Sequence, residues 1–537
     1  MSSLAHGLPL PRRSGSVNAG GKRMARSKIS KEPLPFSPRR HRAREIHWHH
    51  WGEEAFSAAR SQDRPILLYL TGWWCLECQR MDETAFSDPR IVQKLRSNFV
   101  AIRVDSDRRP DVNDRYTVGG WPTVAILTPA GDLLTAGGEM APNELADLLD
   151  RVIEWYRSEE AELRLEIANM EARRQELLRY TVCPPDQPTP ELAEEVAREL
   201  LSLYDPLYGG FGDQPKFPNA DAVRLALHRS RLPGGERWRE IATKALDSMA
   251  SGLLDRTEGG FFRSTARRDW TDPHTEKLLD VNSDLTALYL EAFRETGRGD
   301  YLSAAELGLA YMEATLRNPD TPTFAGSQAA DPNYYPLDLR ERRSTTPPAV
   351  DRTVFAEGNA RAAITYLLAF ETLGGADRLE TAERTLDFIW TRMADPQQGT
   401  VRYWDGQPGG PRLLRDQVWL ASAMAAAYDA TAEVDYLEKA TLLADTILRD
   451  FLAQPGGFYD VRAEPGALGG LANRQWNLVE NSHAAIVMSR LARFGADGRY
   501  LEAARSALAL FSPEYHRFGP LIGSYALALE GFFSGKA

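Results

Sequence analysis

A chain of 537 residues is too long for one ordinary domain, and 43% hydrophobic with 26% charged residues supplies core and solvated surface for two to four. No window approaches the ~18 uninterrupted apolar residues needed to span a bilayer, and the short apolar run from Leu4 to Leu10 is broken by His6, Gly7 and Pro9, so neither a membrane span nor a signal peptide is expected. Three cysteines exclude a disulfide framework, and a cytoplasmic location is the reading.

The net charge of −11 is uneven: residues 1–46 hold eleven Lys/Arg against two acids, so this end is about +9 and the remainder about −20. Gly, Ser, Pro and Arg dominate residues 1–45, the composition of a disordered basic tail. No nucleic-acid or membrane partner is expected from it. His47, His49 and His50 follow within four residues, but positions i, i+2 and i+3 converge poorly on one ion, and no metal site is expected.

From residue 46 to 141 the pattern alternates element types. Glu53–Arg60 reads as a short helix and Ile66–Leu70 as a strand. Glu77–Asn98 is helical with a break at Ser87-Asp88-Pro89, then Phe99–Val104 is a strand and Pro110–Tyr116 a helix. Thr123–Leu127, a Pro129–Asp132 turn and Leu133–Ala136 complete an α/β sandwich. The first strand runs into Trp73-Trp74-Cys75-Leu76-Glu77-Cys78 and at once into a helix. That is the arrangement of a dithiol redox centre: a helix N-terminus favours a thiolate on Cys75, and Cys78 is spaced to resolve a mixed disulfide. Pro122, just before a strand, cannot donate a ladder hydrogen bond, and Trp121 is placed to present its backbone to an extended substrate. Cys183 lies in a Pro-rich stretch and reads as an incidental linker thiol.

Trp74-Cys75-Leu76-Glu77-Cys78 resembles the active site of the thioredoxin superfamily, and Pro122 matches that family's cis-proline. The run from Pro65 to Asp132, with Thr84-Ala85-Phe86-Ser87-Asp88-Pro89, is similar to the C-terminal domain of the bacterial transmembrane disulfide-interchange reductase. The resemblance implies that Cys75 is the nucleophile and Cys78 the resolving thiol. It departs at Tyr69, where thioredoxins place a buried Asp as proton acceptor; Tyr is a poor base near neutral pH.

Residues 142–189 read as a connector: a charge-rich helix to Tyr180, ended by prolines 184, 185, 188 and 190. From 190 to 537 the chain is helical throughout, in twelve segments with no convincing strands. Two repeats run through it. A turn followed by an aromatic or basic residue, Leu and Ala recurs at Tyr301, Arg378, Tyr436 and Tyr500, and Gly-Gly-Phe recurs at Phe211, Phe261 and Phe458, with relics near Phe324 and Gly399. Short and long loops alternate, so six hairpins should close an (α/α)6 toroid, with helices starting near 220, 281, 355, 414, 480 and 521 lining the inside. The long loops and the inner N-termini would then form one polar mouth.

The thioredoxin-like domain followed by a toroid resembles the family of spermatogenesis-associated thioredoxin-like proteins and their bacterial homologues. The stretches that carry it are Gly209-Gly210-Phe211-Gly212, Pro215-Lys216-Phe217-Pro218, Trp270 with Pro273–Leu279, Glu357-Gly358-Asn359 and Glu480-Asn481-Ser482. The fold class expected is therefore multidomain: an α/β thioredoxin-like domain plus an all-α, six-hairpin glycosidase-like toroid. The function expected is thiol-disulfide oxidoreduction by Cys75 and Cys78, with Trp74, Trp121 and Pro122 positioning a protein or small-molecule disulfide. No cofactor beyond the dithiol is expected. The candidate toroid pocket, for a sugar-like ligand, comprises Trp270, His274, Glu276, Lys277, Asp280, Asn359, Glu480 and Asn481. A carbohydrate-active toroid with an accessory thioredoxin domain and a non-catalytic scaffold both remain open as alternatives.

Overall fold

The computed structural model describes residues 34–158, 187–495 and 498–534. Cys183 and most of the basic tail lie outside the described residues. In chain order the first layer comprises β1 (Trp48–His49), α1 (Glu53–Gln62), β2 (Ile66–Thr71), α2 (Leu76–Glu83), α3 (Pro89–Asn98), β3 (Val100–Asp105), α4 (Pro110–Tyr116), β4 (Thr123–Leu127), β5 (Leu133–Gly137) and α5 (Pro142–Ser158). The sheet order is β1-β3-β2-β4-β5: β1 and β2 run parallel to β3, and β4 and β5 are antiparallel additions. Every residue of β2, β3 and β4 is buried, because helices cover both faces. A thioredoxin-like layer results, as the sequence pattern requires.

Two stretches read from sequence as tail and connector are partly built into this layer. Ser37 donates its backbone N–H to Asp82, and the Pro35 carbonyl accepts from Arg103, whose guanidinium forms a bidentate pair with Asp82 (2.7 and 2.8 Å) in the core. Residues 35–45 are thus anchored by a buried ion pair. In α5, Leu145 and Leu149 are fully buried, and Lys94 of α3 pairs with Asp150. The charge alternation along 142–158 hides an apolar stripe that docks on α3, so this part packs on the sandwich. The remainder of the expected connector, to 186, lies outside the described residues.

All twelve expected helices form: α6 (Pro190–Ser202), α7 (Ala220–Arg229), α8 (Glu236–Gly252), α9 (Leu279–Thr296), α10 (Gly299–Tyr311), then, after a short α11 (Leu339–Arg343), α12 (Ala356–Leu373), α13 (Ala376–Arg392), α14 (Leu414–Thr431), α15 (Val434–Asp450), α16 (Leu478–Ala492), α17 (Arg499–Phe511) and α18 (Ile522–Ser534). Helices α7, α9, α12, α14, α16 and α18 contact one another in sequence, and α18 returns to α7, closing an (α/α)6 toroid. The long loops hold several two-residue strands that alternation in the sequence did not reveal.

One device recurs at the mouth. The fourth residue of four inner helices is a buried amide that grips the backbone of the preceding loop. Asn282 accepts the Phe261 N–H (2.7 Å) and donates to its carbonyl (3.0 Å); Asn359 does the same with Phe324 (2.8 and 3.0 Å), and Asn481 with Phe458 (2.7 and 2.9 Å). Gln417 does so with Thr400 (2.8 Å each way). The glycines of the loop repeat are steric: a Cβ on Gly260, at φ +77°, would lie 2.4 Å from the Tyr311 ring. Asn359→Leu should leave one N–H and its carbonyl partners unsatisfied in the core, costing about 3 kcal/mol. Thermal unfolding followed by far-UV circular dichroism should show a lower midpoint than in the parent chain.

Candidate redox site at the toroid mouth

Cys75 is the N-cap of α2, and its Sγ accepts the Cys78 N–H at 3.2 Å. The thiol also faces Glu77, with its S–H directed at Oε2 3.8 Å away. Both cysteines are free and buried, Cys75 2% and Cys78 1% exposed. Trp74 packs on them, held by its indole N–H to Asp107 (2.8 Å), and Trp121 meets Trp74 edge-on at 5.3 Å. The Trp121 indole N–H is fixed by Ser106 and Asn113, and the Trp121–Pro122 bond is cis. The fold places Trp74, Cys75, Cys78 and Trp121 in one cluster, with Pro122 following Trp121 across the cis bond.

The electrostatics differ from the expectation of a stabilised thiolate. Burial pushes the Cys75 thiol well up, and the neighbouring Cys78 and the Glu77 carboxylate add to that; the Cys78 backbone N–H opposes them too weakly. Tyr69 donates its hydroxyl to the Cys78 carbonyl (3.1 Å), and burial holds it protonated, so it is no proton acceptor.

The toroid adds to this burial. The Ala330 N–H donates to the Trp74 carbonyl (3.1 Å), Leu278 packs on the dithiol, and the Arg263 guanidinium lies over Trp74 at 5.1 Å. Around this centre, Arg108 pairs with Asp405 (2.7 Å) and donates to Thr353 (2.9 Å). Arg115 forms a bidentate pair with Asp460, Arg415 binds Asp114 (2.8 Å), and Arg402 donates to the Asp107 carbonyl (2.8 Å). Each toroid partner lies in a long loop or the first turn of an inner helix. The thioredoxin-like layer closes the mouth, leaving a void of about 50 Å³ between Asp107, Asp280, Glu357 and Arg402.

The toroid residues singled out from sequence do not form one pocket. Asn359 and Asn481 spend their amides on the loop backbone, as described. Trp270 donates to the Tyr208 and Gly209 carbonyls, His274 bonds Ser264 (2.8 Å), and Glu276 pairs with Arg263 (2.5 Å). Lys277 is buried against Asp255 (2.8 Å) and the Gly259 carbonyl (2.7 Å); burial brings its pKa down to about 8. These are loop-fixing contacts, because buried polar groups in a loop must find partners there. Only Asp280 and Glu480 face the closed mouth. Glu480 pairs with Arg415 (2.7 Å) while its Oε2 has no partner, and burial lifts its pKa to about 7.

Sequence reasoning passed over Asp221, Arg224, His228, Glu291, Arg361, Trp419 and Glu530, which line a cavity on the toroid axis. The signal was available as spacing: Asp221, Arg224 and His228, like Asp284, Ala287 and Glu291, stand at i, i+3 and i+7 on one helical face.

Residues 27–175 match the family described as Thioredox_DsbH, protein of unknown function, DUF255. The chain is 26% identical over 406 residues to spermatogenesis-associated protein 20 of Mus musculus, covering 64% of this chain and 51% of that protein. The family resemblance read from the sequence holds. The chain spans about half the length of the curated relatives it matches. Over 97 residues it is also 40% identical to thiol:disulfide interchange protein DsbD of Campylobacter jejuni (strain RM1221), 17% of each chain. The crystal structure of a sugar epimerase from a ruminal bacterium shares the toroid fold: TM-score 0.50, 14% identity, covering 60% of this chain and 87% of that one. Among the described residues no helix is long and apolar enough to cross a membrane.

Because the Glu480 carboxyl titrates near 7 in the fold against an ordinary 4.5, the folded state holds more protons between those values. Its contribution to stability therefore falls as pH rises through this window. Glu480→Gln should remove up to about 3 kcal/mol of that loss, and denaturation midpoints from pH 5 to 8 should be flatter in the variant than in the parent.

Proposed function

We propose that this protein is a thiol-disulfide oxidoreductase of the cytoplasm whose dithiol works only when the thioredoxin-like layer and the toroid mouth part. The observation that carries the reading is the Cys75 Sγ at the N-cap of α2, 3.2 Å from the Cys78 nitrogen, with Trp121, whose bond to Pro122 is cis, packed on the same cluster. In the exchange, the Cys75 thiolate attacks one sulfur of a substrate disulfide and expels the other as thiolate. Cys78 then attacks Cys75, releasing the second substrate thiol and leaving a Cys75–Cys78 disulfide. Two electrons pass to the substrate, and the two thiol protons end on its two sulfurs. Trp74 shields the pair, and the Trp121 backbone docks an extended disulfide substrate.

The closed arrangement supports gating. A buried thiol beside Glu77 is a poor nucleophile, and the Trp74 carbonyl next to it is already taken by Ala330. Opening would rehydrate Cys75, lower its pKa and free that carbonyl. The toroid then serves as the cap of the redox centre and as a surface for its substrate.

Cys75→Ser should reduce dithiothreitol-coupled reduction of a disulfide peptide to background; equal rates in both chains would refute the assignment. Arg108→Ala with Arg115→Ala should raise the rate of Cys75 alkylation by iodoacetamide about thirtyfold, since each pair lost lowers the cost of opening by about 1 kcal/mol. An unchanged alkylation rate would remove the gate from the mechanism.

A further inference from the structure

A cleft of about 240 Å³ lies between the thioredoxin-like layer and a toroid loop, and the redox centre makes no use of it. Trp51, Arg109 and Asp111 stand on the layer side; Arg412, Arg462 and Glu464 stand on the toroid side. The loop is fixed to the layer beneath. The Gly470 N–H donates to the Tyr116 hydroxyl (2.6 Å), which donates in turn to the Gly131 carbonyl (2.7 Å). Leu468 and Leu471 pack on the buried core of the layer that includes Trp51. The volume is below that of pockets for drug-sized ligands, so the occupant it suits is small.

The lining carries three guanidinium groups against two carboxylates, and they are unequally matched. Arg109 consumes Asp111 in a bidentate pair (2.9 and 2.8 Å). Arg462 reaches Asp450 (3.1 Å), but Arg449 already holds both oxygens of that carboxylate at 2.8 Å. Arg412 has no carboxylate within ion-pair distance among the described residues. Its one hydrogen bond runs from Nε to the Gly399 carbonyl at 3.4 Å, which leaves both Nη atoms without a partner there. Glu464 is exposed on the loop and, among the described residues, pairs with none of the three.

Asp395 and Asp450 attract Arg412 from a distance, yet burial and the like charge of Arg462 prevail and hold its pKa below the ordinary value. A guanidinium stays charged at physiological pH, so the cleft keeps uncompensated positive charge. The donors are within reach: Arg412 is half-buried, and the Arg462 side chain is 30% exposed. A fork of N–H donors with no carboxylate opposite it matches the paired oxygens of a phosphate or carboxylate group. Trp51, Pro411 and Leu468 give the cleft an apolar wall, which lowers the local dielectric and strengthens such a pairing relative to open surface.

We propose that this cleft binds a small oxyanion, a phosphate or carboxylate group held by Arg412 and Arg462, which clamps the 461–471 loop to the thioredoxin-like layer. The site stands whether or not the dithiol reduces disulfides.

Isothermal titration of the full chain with inorganic phosphate, glycerol 3-phosphate and citrate tests it, against sodium chloride at matched ionic strength. At least one oxyanion should bind saturably, and the strongest of the three separates free phosphate, phosphate ester and carboxylate as sources. Arg412→Gln should weaken that binding about tenfold or more. Should this variant fail to fold, Arg462→Gln decides in its place. Hydrogen exchange followed by mass spectrometry should slow across residues 461–471 when the anion is bound. The proposal is overturned if no oxyanion saturates below about 10 mM, or if chloride at matched ionic strength slows exchange equally. It is also overturned if Arg412→Gln, with an unchanged melting temperature, binds as the parent does, or if exchange across 461–471 does not change.

Discussion

The toroid depends on a buried amide placed four residues into an inner helix. Asn282, Asn359, Gln417 and Asn481 each satisfy the N–H and the carbonyl of one loop residue, and also donate to the carbonyl one turn back in their own helix. An interior loop backbone without such a partner would cost about 1–3 kcal/mol per group, so the amides decide where the long loops lie. Those loops carry Leu278, Ala330, Asp405 and Asp460, the groups that meet the thioredoxin-like layer. The seal over the dithiol is thus built on helix positions buried beneath it.

That seal sets two effects on Cys75 against each other. A helix N-terminus is worth about 0.3–1 kcal/mol to an anion, and here it delivers one N–H, from Cys78. Removing a thiolate from water and setting it near the Glu77 carboxylate costs considerably more, and the thiol stays protonated. In an exposed thioredoxin-like site the same motif would tip the other way. The fusion to a toroid therefore changes the chemistry of Cys75 without changing a residue of its motif.

The two polar regions of the toroid follow different logic. At the mouth, arginines of both layers meet carboxylates across an interface: Arg108, Arg115 and Arg415 with Asp405, Asp460 and Asp114, while Arg402 pairs with Asp416 inside the toroid. Glu480 and Asp416 are left partly unsatisfied there, and burial holds the Asp416 pKa up at about 6, which ties the closed state to pH. On the axis Arg224 and Arg361 are each shared between two carboxylates of the toroid itself, and against the burial that would raise it, His483 and Arg224 keep Asp221 ionised. The first set holds two layers together; the second pairs within the toroid.

By itself the sequence determined the thioredoxin-like element order, the Cys75–Cys78 dithiol beside Pro122, the missing carboxylate at Tyr69, and twelve helices closing in six hairpins. All of these are local: strand and helix periodicity, turn residues, and a motif whose parts are near one another in sequence. Tertiary structure alone decided what the polar residues do. Asn359 and Asn481 look like pocket residues in a row of letters, yet their partners are loop backbones over twenty residues away. His274, Glu276 and Lys277 are likewise consumed by Ser264, Arg263 and Asp255. Residues 35–45 and 142–158 read as solvated, but Arg103 and the apolar face of α5 draw them into the core. Composition reports that a residue is polar; whether its hydrogen bonds are spent or free depends on what the fold packs against it. The state of Cys75 is decided the same way, by a toroid that begins more than a hundred residues downstream.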